Sequence, residues 1–514
     1  MESLKDRFFE YFGIDEEGYK RLIAPLSFSS IPSIVGKAEV EAVSKRLLLA
    51  KERKEKILIY GDYDCDGVMS TSILLYSLLK KDLDASAYLP SRYSDGYGIN
   101  VTNVERIANK GYKILFTTDN GVTAHDALKR AKELGLETIV LDHHEFDETM
   151  PECDYLLHPK TLNYGHAPIS AGFLAFLFSE AFLGGVDPYL LVLGGISTVS
   201  DAMPLLKENR ALLRLALETL NRERYPEFAL LTSSETFDEG TIQFEIAPKI
   251  NAVGRIEKGP RLNRLLPYFS RQTSQCEAIA SYLNETNEKR KAIAKEAIAK
   301  LDMHVEEGAF VLVADVPEGL NGLLASRLLN MLQKPIAVFS KKEGESDLLV
   351  GSLRAPEGFD IVSSLSSMNV PFVAKGGHPA AGGCTIHASD FASFKKEFCF
   401  LSLKSILSPK KERAIELSLS EVNPKTYAFL RSFAPFGEGF PCPRFLLKDL
   451  DPRTFTYIKD GKYLSTNLGE SRLFSFALSK DSFDSERKVN LVGSFKENVY
   501  KGRKTINLVV DKAL

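Results

Sequence analysis

Four short stretches of this sequence concentrate side chains suited to hydrolytic chemistry. Gly61-Asp-Tyr-Asp-Cys-Asp-Gly67 offers Asp62, Asp64 and Asp66, and Thr117-Thr-Asp-Asn-Gly121 adds Asp119. Asp142-His-His144 brings a carboxylate and two imidazoles, and Thr198-Val-Ser-Asp201 brings Asp201. Carboxylates gathered in such number repel one another unless cations neutralise them. With two imidazoles beside them, the set suits hard or borderline divalent ions such as Mn²⁺ or Mg²⁺. Two such ions are the usual machinery of phosphodiester hydrolysis. Taken singly, an Asp after a strand is most often a helix N-cap or turn residue. The reading therefore rests on all four stretches falling in matching positions.

The elements around them supply that match. Lys56–Tyr60, 112–118, 137–141 and 154–157 read as strands, and each of the first three runs directly into an acid-bearing stretch. Helical patterns over 70–81 and near 123–135 alternate with them, which predicts right-handed βαβ units and a parallel sheet. Ligands of such sheets sit at the carboxyl ends of the strands. Asp119 and Asp142 are 23 residues apart, about one crossover, which places them side by side. Segments 171–184 and 189–200 read as buried helices, the latter leading to Asp201. A long helix is expected over 277–306, then strands near 309–314, 335–340 and 348–353 in a second α/β module. Residues 403–413 read as a linker, and short alternating strands follow from 414.

The 514 residues suffice for about three domains. At 44% hydrophobic and 26% charged they are ordinary for a globular protein. The N-terminus shows no basic-then-apolar leader and no stretch suffices for a membrane span, so the expectation is a cytoplasmic protein. Six scattered cysteines without a CxxC pair are expected to be reduced. The net charge of −3 hides an asymmetry: residues 401–514 carry 20 Lys/Arg against 13 Asp/Glu. A basic C-terminal part beside an acidic body suggests a polyanion for the former and metal-binding acids in the latter.

GDYDCDG, TTDNG, DHH and VSDAMPL, in this order, resemble the four motifs of the DHH phosphoesterase superfamily. Lys375-Gly-Gly-His-Pro-Ala-Ala-Gly-Gly383 resembles the signature of the associated DHHA1 domain. Leu89-Pro-Ser-Arg92 with Gly96-Tyr-Gly98, Pro248–Arg255 and Pro435-Phe-Gly-Glu-Gly439 are similar to segments of the RecJ family within it. The resemblance implies an α/β fold: an N-terminal helical segment (1–45), a parallel-sheet DHH domain (46–275) and a connecting helix (276–306). A smaller α/β DHHA1 domain (307–402) and a C-terminal OB-type β-barrel (403–514) follow. It implies a 5′→3′ exonuclease that degrades single-stranded DNA to 5′-mononucleotides in recombination and repair, with two Mn²⁺ or Mg²⁺ ions as cofactors. Asp64, Asp66, Asp119, His143 and Asp201 would be the metal ligands. Asp62, Asp142, His144 and His378 would complete the catalytic site. Arg92, Asn251, Arg255, Ser352, Arg354, Gly376 and Gly377 would bind substrate, Arg being always charged and bidentate toward phosphate. The implied partners are single-stranded DNA, a single-strand-binding protein and a helicase, with no membrane, and the implied state is a monomer.

The family's Trp-His-x-Gly-Val-Ile-Gly stretch is replaced by Glu318-Gly-Leu-Asn-Gly-Leu-Leu324, and the chain has no Trp. Taken alone, Arg92 reads equally as a salt-bridge partner, Gly376-Gly377 as a turn and His378 as a loop residue. Phe455, Tyr457, Phe474, Phe476 and Tyr500 read either as a stacking platform or as barrel core. An enzyme for short oligonucleotides or cyclic dinucleotides is the alternative activity. A scaffold descended from a nuclease is the alternative class, but it would have lost ligands that are all present here.

Overall fold

The computed structural model describes residues 3–96, 98–146, 149–165, 168–301, 308–405, 413–484, 486–500 and 503–514, without the side chains of Val499, Tyr500 and Arg503. They form two compact units, one from residues 28–410 and one from residues 1–27 with 411–514. No helix among the described residues is long and apolar enough to cross a membrane.

The larger unit is built on two sheets. In the first, β1 (Ile57–Tyr60), β2 (Ala85–Tyr88), β3 (Ile114–Thr118), β4 (Glu137–Leu141) and β5 (Tyr155–Leu157) lie in the order 2-1-3-4-5. All pairings are parallel. β1, β3 and β4 are almost wholly buried because helices cover both faces, so their sequences are continuous apolar runs rather than alternating ones. The strand order reverses between β1 and β3, which makes their carboxyl ends the crevice where ligands of such sheets bind. The helices Ala171–Leu183 and Pro188–Ser200 are apolar nearly all round and almost completely buried.

The second sheet comprises β6 (Phe310–Val313), β7 (Ile336–Lys342), β8 (Glu345–Arg354), β9 (Phe372–His378) and β10 (Ala381–His387), in the order 6-7-8-10-9. Phe339, Leu353, Ile361, Phe394 and Phe398 pack one face, and Leu324, Ala325, Leu328 and Val338 the other. The helix Cys276–Ala299 precedes it. The helix ends at Ala299 with Lys300 as its C-cap, and residues 302–307, where the end expected at 306 falls, lie outside the described residues. Most of the expected linker, 406–412, also lies outside them.

The smaller unit carries a seven-stranded sheet in the order 11-12-16-17-15-14-13. Its strands are β11 (Ala414–Leu417), β12 (Arg444–Leu450), β13 (Tyr457–Ile458), β14 (Tyr463–Leu468), β15 (Ser471–Phe474), β16 (Val489–Tyr500) and β17 (Arg503–Ala513). The expected helical segment 1–45 is divided between the units. Helix Leu4–Phe12 drives Phe8, fully buried, among Phe433, Phe445 and Leu447 of the smaller unit, whereas helix Ala38–Arg53 belongs to the larger. Among the proposed stacking aromatics, Phe455 is core, Tyr457 and Phe474 are half-buried, and Phe476 is 73% exposed. The side chain of Tyr500 lies outside the description.

Candidate metal centre

The loop after β1 is tighter than its sequence suggests. The helix expected from residue 70 begins at Cys65, because Asp64 accepts the Gly67 N–H at 3.0 Å and caps it. Gly67 is required there: a Cβ would lie 2.5 Å from the Asp62 carbonyl oxygen. The turn thus holds Asp62, Asp64 and Asp66 at the end of β1. Asn120 ties this loop to β3, donating to the carbonyls of Gly61 (3.0 Å) and Thr118 (2.9 Å). Asp119 follows in the left-handed region at φ 61°, a conformation that Asp, with its short polar side chain, adopts more readily than most residues.

Asp66 is buried against the start of the helix Ala171–Leu183. It accepts the N–H groups of Ala171 (2.9 Å) and Gly172 (2.8 Å) and the Ser197 hydroxyl. A carboxylate at a helix N-terminus is stabilised by the orphan amides and the dipole. His143 Nε2 lies 3.3 Å from Asp119, 3.5 Å from Asp201 and 3.7 Å from Asp66. Among the described residues, three sets of side chains converge closely enough to share an ion: Asp62, Asp64 and Asp119; Asp66, His143 and Asp201; Asp119, His143 and His144.

These residues fit divalent ions. Asp62 Oδ1, His143 Nε2 and Asp201 Oδ2 are buried without a hydrogen-bond partner, an arrangement that costs free energy unless something else satisfies them. Burial, then the charges of Asp66, Asp64, Asp62 and Asp201, drives the Asp119 carboxyl well above its ordinary range. Burial and neighbouring carboxylates raise Asp62 and Asp201 likewise, and burial raises Asp66. Without a cation the cluster favours protonation, and a cation removes that pressure.

Asp142 stands apart. Its carboxylate accepts from the backbone N–H of Val122 (3.0 Å), His143 (2.8 Å) and His144 (3.2 Å), and from His144 Nδ1 (2.8 Å). Burial opposes the ionised form, but these bonds and the imidazole outweigh it, so its pKa falls. Burial would lower His144, yet the Asp142 bond and charge lift it to about 9. Asp142 is an orienting partner of the His ring, a role common around metal sites.

The expected substrate contacts divide. Arg92 stacks its guanidinium on Tyr63 at 4.3 Å. Arg255 donates to the Gly319 carbonyl at 3.2 Å. Burial, then the charges of Arg92 and Arg290, depresses Arg255 to about 10, with the Asp64 charge opposing them. Arg290, on the helix Cys276–Ala299, escaped the sequence reading because that helix is charged throughout. Asn251 spends its carboxamide oxygen on the Cys65 N–H at 2.8 Å and so braces the loop after β1. Ser352 and Arg354 lie on β8, Arg354 beside Gly322. Gly376, Gly377 and His378 form no turn but the exposed edge strand β9. There Gly377, at φ 133°, lets the Ala381 backbone approach within 2.5 Å of its missing Cβ. No hydrogen bond or ion pair among the described residues joins His378 to the acidic cluster.

Three family models match this architecture in order: the DHH family N-terminal domain over 56–188, the DHHA1 domain over 307–399 and the RecJ OB domain over 414–512. The chain belongs to the RecJ-like branch of the DHH/DHHA1 superfamily. The single-stranded-DNA-specific exonuclease RecJ of Bacillus subtilis (strain 168) is 30% identical over 92% of this chain, which spans 63% of that protein. The protein of that name from Haemophilus influenzae is 27% identical, with 92% and 90% of the two chains covered. The structure of Thermus thermophilus RecJ with Mn²⁺ superposes with a TM-score of 0.83 at 23% identity, covering 99% of this chain and 75% of that one. A manganese-bound exonuclease RecJ structure gives 0.63 at 25% identity, over 76% and 99%. The RecJ-like fold therefore extends through all three modules.

Proposed function

We propose that this RecJ-like chain is a metal-dependent exonuclease that degrades single-stranded DNA from the 5′ end to 5′-mononucleotides. The observation that carries the reading is the convergence of Asp62, Asp64, Asp66, Asp119, His143 and Asp201 at the carboxyl ends of β1, β3 and β4, with buried ligand atoms that have no hydrogen-bond partner. Asp64, Asp66, Asp119, His143 and Asp201 would hold two Mn²⁺ or Mg²⁺ ions, with Asp62 and His144 completing the sets. When bound, such ions supply Lewis acidity for water activation and for charge on the phosphoryl oxygens.

The chain's own residues do the rest. Asp142 fixes the His144 ring, which serves as a ligand or a phosphate contact. Asn120 and Asn251 hold the acidic loop rigid, so the carboxylates are placed before substrate arrives. Arg92 and Arg255 grip phosphates of the strand, with Ser352, Arg354 and the Gly376-Gly377 backbone at its terminal phosphate and His378 beside them. The relatives named above carry the single-strand specificity in their names, and the basic C-terminal unit with exposed Phe476 suits a phosphate-tracking, base-stacking surface. The same kinship supports a repair role, for which the cytoplasm is the proposed setting and a single-strand-binding protein and a helicase are the proposed partners.

The test is hydrolysis of a single strand and the matching blunt duplex in Mn²⁺, with products separated by chromatography. Release of 5′-mononucleotides from the single strand alone supports the reading. Intact long strands with consumption of two- to five-nucleotide oligomers replace it with an oligonucleotide phosphodiesterase.

A further inference from the structure

Helix Ala247–Ile256 enters the site from one end. Gly254 packs its backbone on Tyr63, where a Cβ would meet the carbonyl oxygen at 2.4 Å, Asn251 bonds the acidic loop, and Arg255 reaches Gly319. Upstream the helix continues through a π-turn over Ile242–Ile246. Such turns are rare and occur mostly at functional sites. Ile242 and Ile246 of this turn are buried, while Phe244 between them is 71% exposed, among the most solvent-open large apolar side chains of the protein. Residues 244, 248, 251 and 255 follow the spacing of a single helical face. The exposed ring therefore stands on the same stripe as Asn251 and Arg255, displaced toward solvent by about 10 Å at about 1.5 Å per residue.

We infer that Phe244 is a base-stacking residue for the single strand leading away from the metal centre, an inference that rests on the nuclease reading above. A strand held by Arg255 at a phosphate near its end runs past Asn251 and out along this stripe. Stacked nucleotides rise about 3.4 Å each, so about three fit between Asn251 and the ring. A free aromatic face at that distance suits any base, since every base has a π-face, and it confers grip without sequence preference. A core role is excluded by exposure, and the π-turn holds the ring outward while its neighbours remain packed.

The test uses the full chain and 12-nucleotide single strands, each with one abasic site at positions two to six from the 5′ end. Binding is read by fluorescence anisotropy in EDTA, and hydrolysis in Mn²⁺. For the wild type, one position, the third or fourth, weakens binding about 5- to 150-fold, the range of a single base–aromatic stack. In Phe244→Ala that penalty disappears and the intact strand binds as weakly as the abasic one, whereas Phe244→Trp keeps the wild-type pattern. Equal loss at every position, or the same positional penalty in Phe244→Ala, overturns the inference. A wild type that binds with the expected pattern but hydrolyses no strand overturns the nuclease reading and leaves the stacking role standing.

Discussion

The position of Asp66 depends on a glycine. A Cβ on Gly172 would lie 2.4 Å from Ser197 Oγ, 2.5 Å from Ser197 Cβ and 3.2 Å from Asp66 Oδ1. Ordinary contacts are about 3.5–4.0 Å, so Gly172→Ala forces the start of the helix Ala171–Leu183 back by about 1 Å. The amide bonds to Asp66, now 2.9 and 2.8 Å, then pass the limit of a hydrogen bond. Each bond to a charged group is worth about 1.5–3 kcal/mol, so about 3–6 kcal/mol of the force holding the carboxylate is lost. Global stability falls less, by the 1–3 kcal/mol typical of overpacking. A displacement of about 1 Å at a reacting centre costs about 100-fold in rate. The assay is the initial rate of single-strand hydrolysis in saturating Mn²⁺, with thermal melts to confirm folding. Adding Ser197→Gly removes both clashing atoms at the cost of the hydroxyl's two bonds, to Asp66 and to Ser170, and about 1 kcal/mol of helix propensity. The double variant should therefore be at least about tenfold faster than the single one. Full activity in Gly172→Ala, or no recovery in the double variant, would refute the argument that this helix start positions Asp66.

Three further outcomes follow from the same geometry. Asp119→Asn keeps a residue at ease in the left-handed region and removes a buried, repelled carboxylate, so the metal-free melting temperature holds or rises while Mn²⁺-induced stabilisation is lost in a thermal-shift titration. Asp142→Ala frees the His144 ring and lowers Mn²⁺ affinity about 10- to 100-fold by calorimetric titration. Phe8→Ala empties the core of the smaller unit and costs it about 3–5 kcal/mol, measured by hydrogen exchange on β12 and β16, with the larger unit unaffected.

Much of this was legible in the sequence because parallel strands buried on both faces are unbroken apolar runs, and the acids follow directly on β1, β3 and β4. β2 was not, since Ala85-Ser-Ala-Tyr88 is small, partly exposed and without an apolar run. β9 and β10 escaped for a different reason: their glycines signal a turn locally, and only pairing across the sheet makes them strands. The bracing role of Asn251 carries no local signal, because only the fold places the Cys65 amide against it. Ser197 and Gly172, which shape the Asp66 pocket, carry no signal beyond lying on apolar helices. The helices before residue 27 pack on strands some 400 residues later, a partnership that local periodicity cannot express.

The central claim is that the buried carboxylates hold the ions that cut a single strand from its 5′ end. Its most direct test is 3′-labelled single-stranded DNA incubated with Mn²⁺ and either the wild-type protein or Asp119→Ala. The account predicts progressive shortening from the 5′ end by the wild type and an intact strand with the variant. Shortening by both proteins alike, or by neither, would contradict it.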